Sequence, residues 1–466
     1  MDDVIHLAGV EAHPVERRLV GSRGTAPLQP LVMALLCELA RTPNQLVTRR
    51  SLFDRLWSPA ATVSDDNLNR LVTALRRALD QVGGEGVGIE TVPAAGYVLR
   101  IAESKHGSDA PDAVADAIEV ARNSWRMSLP QPDRATIALC ERVAAKRTDA
   151  ALLGHLAILH RHAAEYAAPD FVSLHVAACD QTARRALALD PAQIEAATAL
   201  VSVAPLYGRW RAADTQLRAI AAADPGHPLP ASDLAVLEMA TGQIRAAKAR
   251  RDALLARDPL CAVHAYKTVY QHWSTGDIAG MDHAADRAIQ LYPDHPAIWT
   301  ARFWTLLYTG KGGAARAMLS PGAPDVIGAA IRPLLEAAVD LVGGDRGARE
   351  RATALALKMA AAGPAFAVAA MFVLGLAQSV DGAFAVAQAY FLREGDSPVP
   401  LAPSADHPRL NEQHRRLTQV LFTPACEAMR ADPRFADLCR SIGLADYWEA
   451  TGRTPDYLKA DDPPLP

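Results

Sequence analysis

Asn67, Arg70, Thr73 and Arg77 follow one another at steps of three and four residues, so a helix beginning at Ser64 or Asp65 would carry them on neighbouring turns. Their chemistry suits base-pair edges. Arginine donates two parallel hydrogen bonds to a guanine edge, asparagine does the same to adenine, and threonine touches a thymine methyl or a phosphate. Arg76 and, from a preceding short segment, Arg49 or Arg50 are better suited to holding phosphates. The apolar residues of the same stretch, Leu68, Val72, Leu75 and Leu79, form a stripe that would bury the other side of the helix.

The elements needed to position such a helix surround it. From Leu28, apolar residues Leu31, Leu35, Leu36 and Leu39 keep helical spacing until Thr42-Pro43-Asn44 ends the run. Thr48 caps a short helix carrying Leu52, Phe53, Leu56 and Trp57, and Ser58-Pro59 breaks it. Beyond the long helix, Ile89, Thr91 and Val92 read as a strand, Pro93-Ala94-Ala95-Gly96 as a connection, and Tyr97-Val98-Leu99-Arg100 as the return strand of a hairpin.

This order, with Val47-Thr48-Arg49-Arg50-Ser51-Leu52, Val72 to Leu79, Ile89-Glu90-Thr91-Val92-Pro93 and Gly96-Tyr97, resembles the winged helix of the OmpR/PhoB response-regulator group, particularly its CadC-like branch. The resemblance covers about the first hundred residues. It implies an α+β winged-helix DNA-binding domain over 1–103: a small N-terminal sheet, placed at Val4 to Val10 and Arg18 to Val20, three helices, and a β-hairpin wing. It further implies double-stranded DNA as partner, Asp65 to Val82 as the helix entering the major groove, and a loop from Trp57 to Val63 that can touch RNA polymerase.

A polar stretch around Glu103 to Asp109 marks a linker, placed at 104–112, and the composition then becomes rich in Ala, Leu and Arg at helical spacing. Pro191, Pro225, Pro259 and Pro293 recur at a 34-residue step, as do Gly208, Gly242, Gly276, Gly310 and Gly344. Proline stops one helix and opens the next unit, while glycine fits the tight turn inside each pair. With Ala213, Ala247 and Ala315 at the close-packing position, and Met281 departing from it, the pattern resembles the tetratricopeptide (TPR) family. An all-α TPR solenoid is therefore expected over 113–466, with 432–448 as a capping segment. In that phase the first helices would direct Met239, Tyr266, Tyr270, Trp273, Thr300 and Trp304 towards the concave surface, to meet a protein, peptide or small ligand. Packing between repeats is the other reading of the same residues.

Composition removes several classes. A formal charge of -4 and a pI near 6.4 give no chain-wide grip on nucleic acid or on a membrane surface. Six scattered cysteines without a CxxC pair fit reduced thiols, and the acidic N-terminus does not read as a signal peptide. A cytoplasmic protein without membrane segments is expected. His155, His160 and His162 lack metal-ligand spacing, the glycines from Gly84 to Gly88 lack the dinucleotide fingerprint, and Thr309-Gly310-Lys311-Gly312 is not a Walker loop. No cofactor, metal or catalytic constellation is expected, and the chain reads as a DNA-binding regulator rather than an enzyme. One alternative stands beside it. Through Glu103 the eleven Arg are offset by twelve Asp and Glu, and the wing tip is Ala94-Ala95. Both facts suit an interaction scaffold whose winged helix no longer binds DNA.

Overall fold

Strands β1 (Ile5–Leu7), β2 (Val10–His13), β3 (Arg18–Gly21) and β4 (Gly24–Pro27) pair in sequence order as an antiparallel sheet. The computed structural model describes residues 5–7, 9–14, 16–40, 42–44, 46–56, 65–84, 86–92, 95–101, 110–127, 134–166, 169–204, 206, 209–320, 326–395 and 415–459. Of the stretch from 4 to 10 expected in this sheet, residues 5–7 form β1 and Val10 opens β2. Gly9 takes a left-handed φ of 88°, the chain reverses there, and Val10 lies opposite Leu7.

Helix α1 (Pro30–Ala40) follows, then β5 (Leu46–Thr48), α2 (Arg49–Leu56), α3 (Asp65–Gln81), β6 (Val87–Val92) and β7 (Gly96–Ile101). The second sheet has the order β5-β7-β6 and is antiparallel throughout. Leu68, Val72, Leu75 and Leu79 of α3 are buried against α1 residues Val32, Leu35, Leu36 and Leu39, as one apolar core. Gly96 is required where β7 crosses β5, since a Cβ there would stand 2.0 Å from the Val47 carbonyl oxygen. The segment 57–64, with the loop expected to touch polymerase, and the wing-tip residues Pro93 and Ala94 lie outside the described residues.

The chain divides into two compact units, Met1–Asp109 and Ala110–Pro466. The second is helical among its described residues. Helices α4 (Ala110–Met127), α5 (Arg134–Lys146), α6 (Ala150–Tyr166) and α7 (Pro169–Leu189) precede a regular series. The series pairs α8 (Ile194–Val203) with α9 (Trp210–Ala223), α10 (Pro228–Ala240) with α11 (Ile244–Arg257), α12 (Ala262–Ser274) with α13 (Ile278–Leu291), and α14 (Pro296–Tyr308) with α15 (Gly312–Met318). First helices begin at 194, 228, 262 and 296, and second helices at 210, 244, 278 and 312, each a constant step of 34. Two further pairs, α16 (Arg332–Val342) with α17 (Ala348–Ala360) and α18 (Pro364–Leu376) with α19 (Val380–Ala387), continue the solenoid. None of the described helices is long and apolar enough to cross a membrane.

Local chemistry sets the step. The carbonyls of Asp190, Asp224, Asp258 and Tyr292 each accept a hydrogen bond from the backbone N–H three residues on, so each proline of the repeat sits inside a tight turn. Within the pairs, Gly242, Gly276, Gly310 and Gly344 are left-handed, with φ between 72° and 82°. The next place in that register is Gln378. It is left-handed too, at φ 51°, so one more pair follows the rule with a residue unsuited to it.

The last described segment, 415–459, contains a 3-10 turn (Arg415–Phe422) and helices α20 (Glu427–Arg430), α21 (Arg434–Ser441) and α22 (Leu444–Thr451). It runs back over the middle of the solenoid. Thr418 Oγ1 donates to the Ala240 carbonyl at 3.0 Å, Trp448 Nε1 to Thr241 at 2.9 Å, and Trp210 Nε1 to Ile442 at 2.8 Å. Replacing the exposed Gln378 by glycine removes a left-handed side chain at a turn. Gln378→Gly is expected to raise stability by about 0.5–1 kcal/mol, seen as a higher denaturation midpoint at unchanged slope. A lower midpoint would refute the turn assigned there.

Candidate functional site

Packing of the apolar stripe of α3 leaves Asn67, Arg70, Thr73 and Arg77 exposed. Arg70, Arg77 and Asn67 have no hydrogen-bond or ion-pair partner among the described residues. The Thr73 hydroxyl donates back to the Asn69 carbonyl at 2.8 Å, which leaves its methyl group free to make contacts. Arg50 is exposed at the start of α2.

Arg76 and Arg49 are placed differently. The Arg76 guanidinium, half-buried, donates from Nε and Nη2 to the Ile89 carbonyl at 3.0 and 2.6 Å, and from Nη2 to Thr91 Oγ1 at 2.8 Å. It ties the wing to α3. Arg49 lies over the Tyr97 ring, 5.0 Å from its centre, and donates to Asn69 Oδ1 at 3.3 Å. The Tyr97 hydroxyl donates to the same oxygen at 2.5 Å. Asn69 was not singled out from the sequence, and Thr91 and Tyr97 were read there only as strand residues. Their signal is weak there, because only the fold brings 69 beside 97 and 76 beside 89.

Other cations are neutralised within the unit. Arg55 pairs with Glu38 at 3.0 Å and Arg100 with Glu90 at 2.5 Å. The exposed arginines on α2 and α3 that remain without a partner among the described residues are Arg50, Arg70 and Arg77.

In the helical unit, Met239, Tyr266, Tyr270 and Thr300 line one cavity of about 340 Å³. Trp273 and Trp304 do not reach it. Both are only 2% exposed and stack on Phe372, with ring centres 6.0 and 4.8 Å away, so they pack behind the cavity wall. The cavity also takes charged residues that sequence reading passed over: Arg161 and Glu165 of α6, Asp233 of α10, Arg251 of α11 and Lys267 of α12. The repeat register held a usable signal. Thirty-four residues either side of Arg251 stand Leu217 and Ala285, both buried, so an arginine occupies a place that neighbouring repeats fill with apolar side chains. Among the described residues no group of three or more His, Cys, Asp or Glu is arranged to hold a metal ion.

Residues 24–99 match the model of the family described as transcriptional regulatory protein, C terminal. No curated protein matches the chain. Among solved structures, yeast Tom70 is similar at 12% identity over 82% of this chain and 79% of that one, with a TM-score of 0.34, too loose to support an argument. Residues 24–99 thus lie in a winged helix similar to the C-terminal domain of OmpR/PhoB-type regulators, and a helical solenoid follows in the chain.

Proposed function

We propose that this chain is a cytosolic transcription regulator in which α3 reads promoter DNA in the major groove and the TPR-type helical region receives a protein, peptide or small-ligand signal. Its division is 1–103 for DNA, 104–112 as linker and 113–466 for the signal. The observation that carries the reading is the exposed row of Asn67, Arg70, Thr73 and Arg77 on a helix buttressed by its own wing. Asn67, Arg70, Thr73 and Arg77 contact bases, and Arg50 contacts phosphate. Arg76 acts mainly by holding the wing against the reading helix, and Arg49 by packing on Tyr97. Family membership of residues 24–99 supports the DNA partner. RNA polymerase, as a further partner of the loop 57–63, rests on the family resemblance alone.

The scaffold reading is favoured by one observation, the internal neutralisation of Arg55 and Arg100. Salt titration separates the two. With Arg50 on a phosphate, log K should fall against log salt with a slope of about -1 per bound domain. Equal, salt-independent binding of a selected promoter fragment and random duplex would leave the scaffold standing.

Variants sort the arginines. Arg70→Ala or Arg77→Ala should relax base preference, at a cost of about 1–3 kcal/mol for a bidentate contact. Arg76→Ala should weaken all sequences alike and also lower the stability of the chain, because the Ile89 carbonyl loses a charged donor worth about 1–3 kcal/mol. Full stability in Arg76→Ala would show that the wing does not depend on it.

A further inference from the structure

The cavity in the helical unit is faced by the first helices of three successive repeats, α10, α12 and α14, and further lined by α4, α6, α18 and the segment 415–459. At about 340 Å³ it lies at the small end of the range for small-molecule sites. Its apolar wall includes Trp125, Val236, Met239 and Phe372. An open concave groove would accept an extended peptide, whereas a space covered on these sides suits a compact molecule.

Its charges do not balance. Arg161, 3% exposed, pairs with Asp233 at 3.3 Å and with Glu165 at 3.6 Å, so both carboxylates of the cavity lie on one guanidinium. Arg251 is completely buried and donates to Ser232 Oγ, to the Ser232 carbonyl and to His264 Nδ1, at 2.9 to 3.1 Å. No carboxylate pairs with it among the described residues, and its Nε has no hydrogen-bond partner. Lys267 likewise makes no ion pair or hydrogen bond among the described residues, and its ammonium stands 5.7 Å from the centre of the Tyr266 ring. With Lys267 protonated, three cations against two carboxylates leave one positive charge. An uncompensated buried charge costs folding free energy, and a ligand of opposite charge removes that cost. Unused polar groups lie beside it. The hydroxyls of Tyr266 and Tyr270 have no partner among the described residues, and the Gln271 amide oxygen is buried without one.

We infer that this cavity binds a small organic carboxylate, with its anionic group on Lys267 and the two tyrosine hydroxyls and its apolar body against Met239, Val236 and Phe372. This deepens the signal-receiving half of the function proposed above and is independent of its DNA-binding half.

Titration of Lys267 gives the binding a pH signature. Burial first, and the charge of Arg251 next, push its ammonium down to about 7. Glu165 and Asp233 oppose that shift, Arg161 adds to it, and the cavity-facing phenols Tyr266 and Tyr270 stay neutral. The lysine is therefore part-protonated at neutral pH. Carboxylate binding takes up a proton near pH 7 and weakens as pH rises beyond it.

Calorimetry on the full chain without DNA tests the inference with 3-phenylpropionate and octanoate, each beside its primary amide. The acids should bind at least about tenfold more tightly than the amides, with proton uptake at pH 7 read from buffers of different ionisation enthalpy. Lys267→Met should abolish that preference. It should also melt at a higher temperature than the unaltered chain when no ligand is present, because an unpaired, half-buried charge has been removed. Equal affinity for acid and amide, binding of neither acid at millimolar concentration, or an undiminished preference in Lys267→Met would overturn the inference. A peptide acid that binds where both small acids fail would do the same. None of these outcomes touches DNA affinity, so failure here and failure of the promoter-reading proposal are separate results.

Discussion

Three consecutive backbone carbonyls at the end of α10, those of Ala240, Thr241 and Gly242, accept hydrogen bonds from Thr418 Oγ1, Trp448 Nε1 and the Asp456 N–H. The last carbonyls of a helix have no partner within it, so this exposed end is a natural place for another part of the chain to attach. Asp456 adds a carboxylate bond to the Arg245 N–H at 2.8 Å, at the start of α11. By binding one repeat at its turn, the segment 415–459 is held across the concave side, with Gln419, Val420 and Thr423 facing the cavity. Without this attachment the cavity would lose the part of its wall that Gln419, Val420 and Thr423 supply.

The winged helix is organised by the opposite principle. Its arginines are mostly occupied in holding the domain together: Arg76 on the Ile89 carbonyl, Arg49 on Tyr97, Arg55 on Glu38, Arg100 on Glu90. This fixes the angle between wing and helix and leaves few cations for phosphates. If the domain reads DNA as proposed, it would draw less of its affinity from the backbone and more from base edges, which favours discrimination over general adhesion.

Much of this was legible in the sequence wherever the cause is local. The stripe Leu68, Val72, Leu75 and Leu79 needs only helical periodicity, and the step of 34 needs only a proline turn and a left-handed glycine. Even there the reversal at Gly9, which separates β1 from β2, was not read from the sequence. Long-range placement was not legible. Periodicity puts Tyr270, Trp273 and Trp304 on first helices, but whether a ring faces the cavity or stacks on Phe372 depends on α18, about seventy to a hundred residues away. The same holds for Arg76, whose acceptor lies on the wing, and for the segment 415–459, whose docking place is some 180 residues back along the chain.

Trp125 and Arg126 near the end of α4 show what such separations mean in time. Arg126 is bound by both oxygens of Asp258 at 2.7 Å, and His295 bonds the Met127 carbonyl, so α4 waits on residues made well over a hundred positions later. Asp456 comes later still, about 350 residues after Ile101 completes the wing. At ribosomal speed that gap is roughly 20–70 s. Throughout it the nascent chain carries a finished winged helix and an incomplete cavity, so a prematurely terminated product keeps its first unit while losing the cavity of the second.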